Sequence, residues 1–129
     1  MNSILIIAHA PLASALRSAA LHVFPDAAAR VIALDVFVSQ SPEQTLDVAH
    51  ELLTKIALDS EVTGTLVLSD VLGATPCNVA QKLVNNHIKC VAGASLPMLL
   101  RAITYWHEPL MTMAEKAVAG GAAGAIAVA

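Results

Sequence analysis

Charge is scarce in this chain. Asp, Glu, Lys and Arg make up only 13% of it, against about 25% in an average soluble domain, while 57% of its residues are hydrophobic. That balance excludes disorder and raises the question of a membrane. Long apolar runs are missing as well: a spanning helix needs about 20 consecutive apolar residues, and the best stretches, residues 4–8 (Ile-Leu-Ile-Ile-Ala) and 64–68 (Gly-Thr-Leu-Val-Leu), are far shorter. Direct membrane insertion is therefore not expected. The seven Lys and Arg are scattered from Arg17 to Lys116, and a net charge of −3 with a pI near 5.9 leaves no electrostatic footprint for nucleic acid. Cysteine is nearly absent. Cys77 and Cys90 show neither CxxC spacing nor a disulfide-dense pattern, which predicts two buried free thiols in a reducing compartment and no structural zinc. No Lys or Arg precedes the short apolar start, and Arg17 falls where a signal cleavage region would lie, so the chain reads as cytoplasmic and unprocessed. The five histidines contain no H-x-x-x-H pair, and the G-x-G-x-x-G and G-x-x-x-x-G-K-[ST] loops are absent. A metal, dinucleotide or nucleotide site is not expected.

What is present is alternation. Short aliphatic runs suit strands buried on both faces, as in a parallel sheet covered by helices. Strands are predicted over residues 3–8, 31–36, 65–69 and 89–93. Helices are predicted over 11–23, from an N-cap at Ser41 to about 58, from a cap at Thr75 to about 86, over 97–106 and over 110–119, with Pro25-Asp26 and Glu108-Pro109 as breaks. Ser41-Pro42-Glu43-Gln44 carries a capping box with Pro at the first helical position. The glycines after residue 119 argue against a continued helix, and residues 125–129 read as a short fifth strand of small residues that needs a partner edge, such as a second subunit. With no linker or repeat, residues 1–129 form one α/β domain, doubly wound and flavodoxin-like, with strand order 2-1-3-4.

In such a sheet the binding crevice lies at the carboxyl ends of strands 1 and 3, where the winding reverses. His9 ends the first of these strands and Asp70 the third. An aspartate that accepts from one imidazole nitrogen fixes the tautomer and frees the other nitrogen's lone pair for attack. Pro11 and Pro76 mark two helix starts at the same end, whose N–H groups and dipoles favour an anion. Gly73 permits a close backbone approach, and the Thr75 hydroxyl can donate beside it. Phosphoryl fits this set best. A plainer reading stands beside it: a surface histidine, and an aspartate that caps its loop. The histidines at 22, 50, 87 and 107 fall in helical stretches, a polar turn and a helix break, and gain no comparable support.

Three segments resemble the IIA domain of the mannose-type (mannose/fructose/sorbose) sugar phosphotransferase system. Residues 4–9 (ILIIAH) look like the strand that ends in its phosphorylated histidine. Residues 66–78 (LVLSDVLGATPCN) look like its Asp-x-x-Gly-(Gly/Ala)-(Ser/Thr)-Pro-x-Asn loop, and residues 92–99 (AGASLPML) like its Gly-x-(Asn/Ser)-(Ile/Leu)-Pro-Met-Leu turn. The likeness implies a phosphohistidine relay. His9 would take phosphoryl from the phosphocarrier protein HPr and pass it to a IIB component, Asp70 would orient the ring, and Leu72, Gly73 and Thr75 would hold the phosphoryl group. It implies no metal or cofactor, and a homodimer in which each C-terminal strand crosses to the partner's sheet. Ala10-Pro11 stands where family members commonly have Gly, and no IIB segment follows residue 129, so the acceptor is expected on another chain or replaced by a regulatory protein. The competing readings are the phosphoryl donor subunit of dihydroxyacetone kinase, whose loop lacks the Thr-Pro-x-Asn pattern, a non-enzymatic module that reports phosphorylation state, and a hydrolase with His9 as base.

Overall fold

The computed structural model describes all residues, 1–129. Four strands, β1 (Asn2–His9), β2 (Val31–Val36), β3 (Gly64–Ser69) and β4 (Ile88–Val91), form one sheet in the order β2-β1-β3-β4, and every pairing is parallel. The expected order is thus observed. Parallel neighbours require crossovers, supplied by the helices α1 (Leu12–Val23), α2 (Pro42–Ile56) and α3 (Thr75–Gln81), while two more helices, α4 (Leu96–Thr104) and α5 (Leu110–Gly124), follow the last strand. None is long and apolar enough to cross a membrane.

Alternate residues of each strand feed two separate cores. Ile4, Ile6, Ala8, Leu66 and Leu68 pack with α1, α4 and α5, while Leu5, Ile7, Val36 and Val67 pack with α2 and α3. Both faces of the sheet are covered. The aliphatic composition is explained by this layering, since strands dry on two sides have no position for a polar side chain. Of the polar exceptions, Ser3 and Thr65 share a buried hydroxyl–hydroxyl bond of 2.9 Å, Asn2 donates to the Glu108 carbonyl, and Ser69 Oγ is buried without a partner.

Several boundaries differ from the sequence reading, each for a local reason. The capping box at Ser41 forms as expected, with Gln44 N–H donating to Ser41 Oγ and Ser41 N–H donating to Gln44 Oε1. The third helix ends at Gln81, five residues before Asn86, because Asn85 Oδ1 accepts from His87 N–H at 2.7 Å and turns the chain toward β4. Its cap is Ala74 rather than Thr75, which becomes the first helical residue. β4 stops at Val91, since Gly93 adopts φ +84°. Cys77 is buried as expected, but Cys90 is only partly so. Burial, with the neighbouring Cys77, pushes the Cys90 thiol up to about 11, so it stays protonated.

The largest correction concerns the C-terminus. α5 does not stop at Ala119 but runs on through Gly120 and Gly121 to Gly124. Those glycines are contact points. A Cβ on Gly120 would lie 2.5 Å from Arg101 Cβ, one on Gly121 would meet the Met98 side chain, and one on Gly124 would overlap Pro97 Cβ and Cγ. Their absence of side chains lets α5 lie directly on α4, and that packing offsets the roughly 1 kcal/mol helix penalty of each glycine. Residues 125–129 follow in non-helical conformation and form no strand within the chain.

Candidate functional site

Parallel pairing aligns the carboxyl ends of β1 and β3, with Ile7 beside Ser69, so the residues that follow lie side by side. His9 Nδ1 is 2.7 Å from Asp70 Oδ2. The same oxygen accepts the His9 backbone N–H at 2.9 Å, and Asp70 Oδ1 accepts from Val71 N–H at 2.8 Å. One carboxylate oxygen therefore holds the histidine at two points and fixes both its position and its ring angle. Burial pushes the Asp70 carboxyl up. The bonds from His9 N–H, the His9 ring and Val71 N–H more than offset that push, and its pKa lies below the ordinary carboxylate value. Asp70 is ionised at neutral pH. An ionised carboxylate only accepts, so the shared proton sits on Nδ1, and in the neutral ring the lone pair is on Nε2. The His9 side chain is 51% exposed and that of Asp70 only 8%: the imidazole meets solvent while its anchor does not.

The third sequence segment braces this pair from behind. Gly93 N–H donates to the Asp70 carbonyl at 2.8 Å, and Ala94 N–H to the Ser69 carbonyl at 2.9 Å, an extension of the β4 edge made possible by the left-handed turn at Gly93. Ser95 then caps α4 by accepting from Met98 N–H. The role of that motif is to hold the loop that carries Asp70.

The other predicted site residues divide. Thr75 lines a pocket of about 210 Å³ together with His9, and its hydroxyl makes no hydrogen bond within the chain, so its donor is free. Gly73 has φ +89° and open space where a Cβ would be, so the turn itself is what demands glycine there. Leu72 is exposed on the same loop and does not line the pocket. The two helix starts are less available than the sequence suggests. At α1, Ser14 N–H donates to Asp35 Oδ1 at 3.0 Å and the Ser14 hydroxyl bonds the other oxygen, so β2 already supplies this helix with an anion. α3 is only seven residues long.

Val36, Phe37, Val38 and Gln40 form the rest of the pocket wall and carry no motif by which the sequence would reveal them. They follow β2, the neighbour of β1, and β1–β2 pairing puts His9 opposite Val36. Phe37 and Val38, with Leu12, Val71 and Leu72, leave an apolar margin exposed at this end of the sheet.

Fold and site together define a class: a parallel α/β domain that presents one oriented imidazole at the carboxyl edge of its sheet. The chain belongs to the EIIA-man family, described as the phosphotransferase system (PTS) fructose IIA component, whose family model matches residues 3–118. Its members act in phosphoryl transfer. Among solved structures, the chain is similar to the phosphotransferase system component EIIA from Streptococcus agalactiae, at 26% identity and a TM-score of 0.81, with 98% of this chain and 97% of that one covered. The mannose/sorbose specific IIA subunit from Enterococcus faecalis shares the fold at 21% identity and a TM-score of 0.87, covering 99% and 95%. So does the PTS IIA protein associated with the fucose utilization operon from Streptococcus pneumoniae, at 23% and 0.82, covering 99% and 96%. Comparison with curated protein sequences gives no match.

Proposed function

We propose that the whole chain is one cytoplasmic IIA unit in which His9 carries phosphoryl, accepted on Nε2 from HPr and passed to a IIB component. The observation that carries this reading is the 2.7 Å contact between Nδ1 and the ionised Asp70, which leaves Nε2 of a half-exposed ring as the free nucleophile. As the Nε2 lone pair bonds to phosphorus, the bond from phosphorus to the donor nitrogen breaks and its electron pair returns to the donor. The His9 ring, still protonated on Nδ1, becomes cationic. Asp70 balances that charge, and the Thr75 hydroxyl, with the Gly73 turn beside it, is placed to meet the phosphoryl oxygens. Exchange between two imidazoles is close to thermoneutral, so orientation and charge stabilisation supply what catalysis is needed. The apolar margin of Phe37, Val38, Val71 and Leu72 suits a protein donor and acceptor better than a small polar substrate.

Incubation with phosphoenolpyruvate, enzyme I and HPr is expected to place an acid-labile phosphoryl group on the wild type and none on His9→Ala. Undiminished label on His9→Ala, or none on the wild type, would contradict the reading. Onward transfer from labelled protein to a IIB component, rather than acceptance from HPr, separates it from a dihydroxyacetone kinase donor, which passes phosphoryl to its own kinase subunits. The family resemblance adds a homodimer, in which residues 125–129, with Ile126 and Val128 exposed, pair with a second copy. Sedimentation should then report twice the chain mass, and a chain that stays monomeric at tens of micromolar would remove the exchange from the proposal.

A further inference from the structure

Gln40 is the one polar side chain of the His9 pocket for which neither fold nor motif provides a role. It lines the pocket with His9 and Thr75, its Oε1 is buried, and its amide makes no hydrogen bond within the chain. The buried unpaired atom is the acceptor Oε1, which a phosphoryl oxygen cannot satisfy, but the donor Nε2 is neither buried nor engaged within the chain, so its hydrogens are open to a ligand in the pocket. The backbone around it is pinned: Gln40 N–H donates to the Phe37 carbonyl at 3.1 Å, and Ser41, next in the chain, is locked in the capping box of α2. The side chain thus springs from a fixed base at the mouth of the site.

We propose that Gln40 is a third phosphoryl ligand beside Thr75, its Nε2 hydrogens donating to a phosphoryl oxygen as phosphorus bonds to His9 Nε2; this rests on the phosphohistidine reading above. The chemistry favours an amide at this place. A phosphoryl group in transfer carries negative charge on its peripheral oxygens, and it needs donors that remain neutral once it leaves, so that it is not trapped on His9. The Thr75 hydroxyl and the Gln40 amide are such donors, and no Lys or Arg lines the pocket. Oε1 and Nε2 exchange places by a half-turn of the terminal torsion, so either face of the amide can present the donor.

The test measures initial rates of His9 phosphorylation by phosphoenolpyruvate, enzyme I and HPr, with HPr varied, for the wild type, Gln40→Ala and Gln40→Glu. Gln40→Glu keeps the shape of the side chain but replaces the donor with a negative charge. A phosphoryl ligand predicts that kcat falls about tenfold in Gln40→Ala and further in Gln40→Glu, with the KM for HPr within twofold of wild type and thermal unfolding unchanged. An unchanged kcat, or a rise in KM alone, would overturn the assignment and leave the phosphohistidine reading standing, with Gln40 then a docking or bystander residue. A wild type that takes no label would overturn both.

Discussion

Asp70→Asn is expected to slow phosphorylation of His9 by about a hundredfold while the fold survives. Two effects act together. Asparagine removes the negative charge that faces the ring at 2.7 Å, where the ring turns cationic as it takes up phosphorus. It also ends the control of tautomer, because an amide can present either its oxygen or its NH2 to Nδ1, and in the second arrangement Nε2 carries the proton and cannot attack. A tenfold loss from each corresponds to about 1.4 kcal/mol of transition-state stabilisation apiece. The fold survives because the amide oxygen still accepts the His9 backbone N–H in the first arrangement, and because the Asp70 carbonyl remains tied to Gly93 N–H in both. Stopped-flow or quenched label kinetics would measure the effect, and circular dichroism would check the fold. A rate equal to wild type would take Asp70 out of the mechanism.

The second large effect concerns stability. Replacing Gly120 and Gly124 together by Ala is expected to lower the unfolding temperature by roughly 10 °C, even though alanine is the better helix former. Helix propensity alone gives the opposite sign, a gain of about 1 kcal/mol per site. Packing decides the matter. The new Cβ atoms would meet Arg101 Cβ and the Pro97 ring, and neither is the free end of a flexible chain that can swing aside. Overpacking of this kind costs about 1–3 kcal/mol per site, and the two sites lie one turn apart on the same face of α5, so a shift of the helix must relieve both. A thermal melt with an unchanged or higher midpoint would show that the α4–α5 contact is looser than the geometry states.

These cases also mark where sequence reading succeeds and where it stops. The strands were legible because a sheet covered on both faces accepts little but aliphatic residues: Ile4 to Ala8 and Leu66 to Leu68 are all fully buried. His9 and Asp70 were legible because the topology rule points to the ends of β1 and β3, and little else polar stands there. The continuation of α5 was not, since glycine lowers helix propensity locally and its benefit, a close approach to Pro97 and Arg101, arises only between helices. Thr75 was expected as a cap because threonine commonly caps. Ala74 takes that place instead with an extended backbone, which leaves the Thr75 hydroxyl free for the site. Asp35 and Gln40 escaped notice for a shared reason. Each serves a neighbour distant in sequence, α1 for Asp35 and the His9 pocket for Gln40, and neither sits in a spacing that announces it.

The central claim is that Nε2 of His9 carries the phosphoryl group while Nδ1 stays with Asp70. Nitrogen-15 NMR of histidine-labelled protein, recorded before and after phosphorylation by enzyme I and HPr, reads the two ring nitrogens separately. The account predicts phosphorus–nitrogen coupling at His9 Nε2 and a protonated Nδ1 in both states. Coupling at Nδ1, or at the nitrogen of any other histidine, would contradict it.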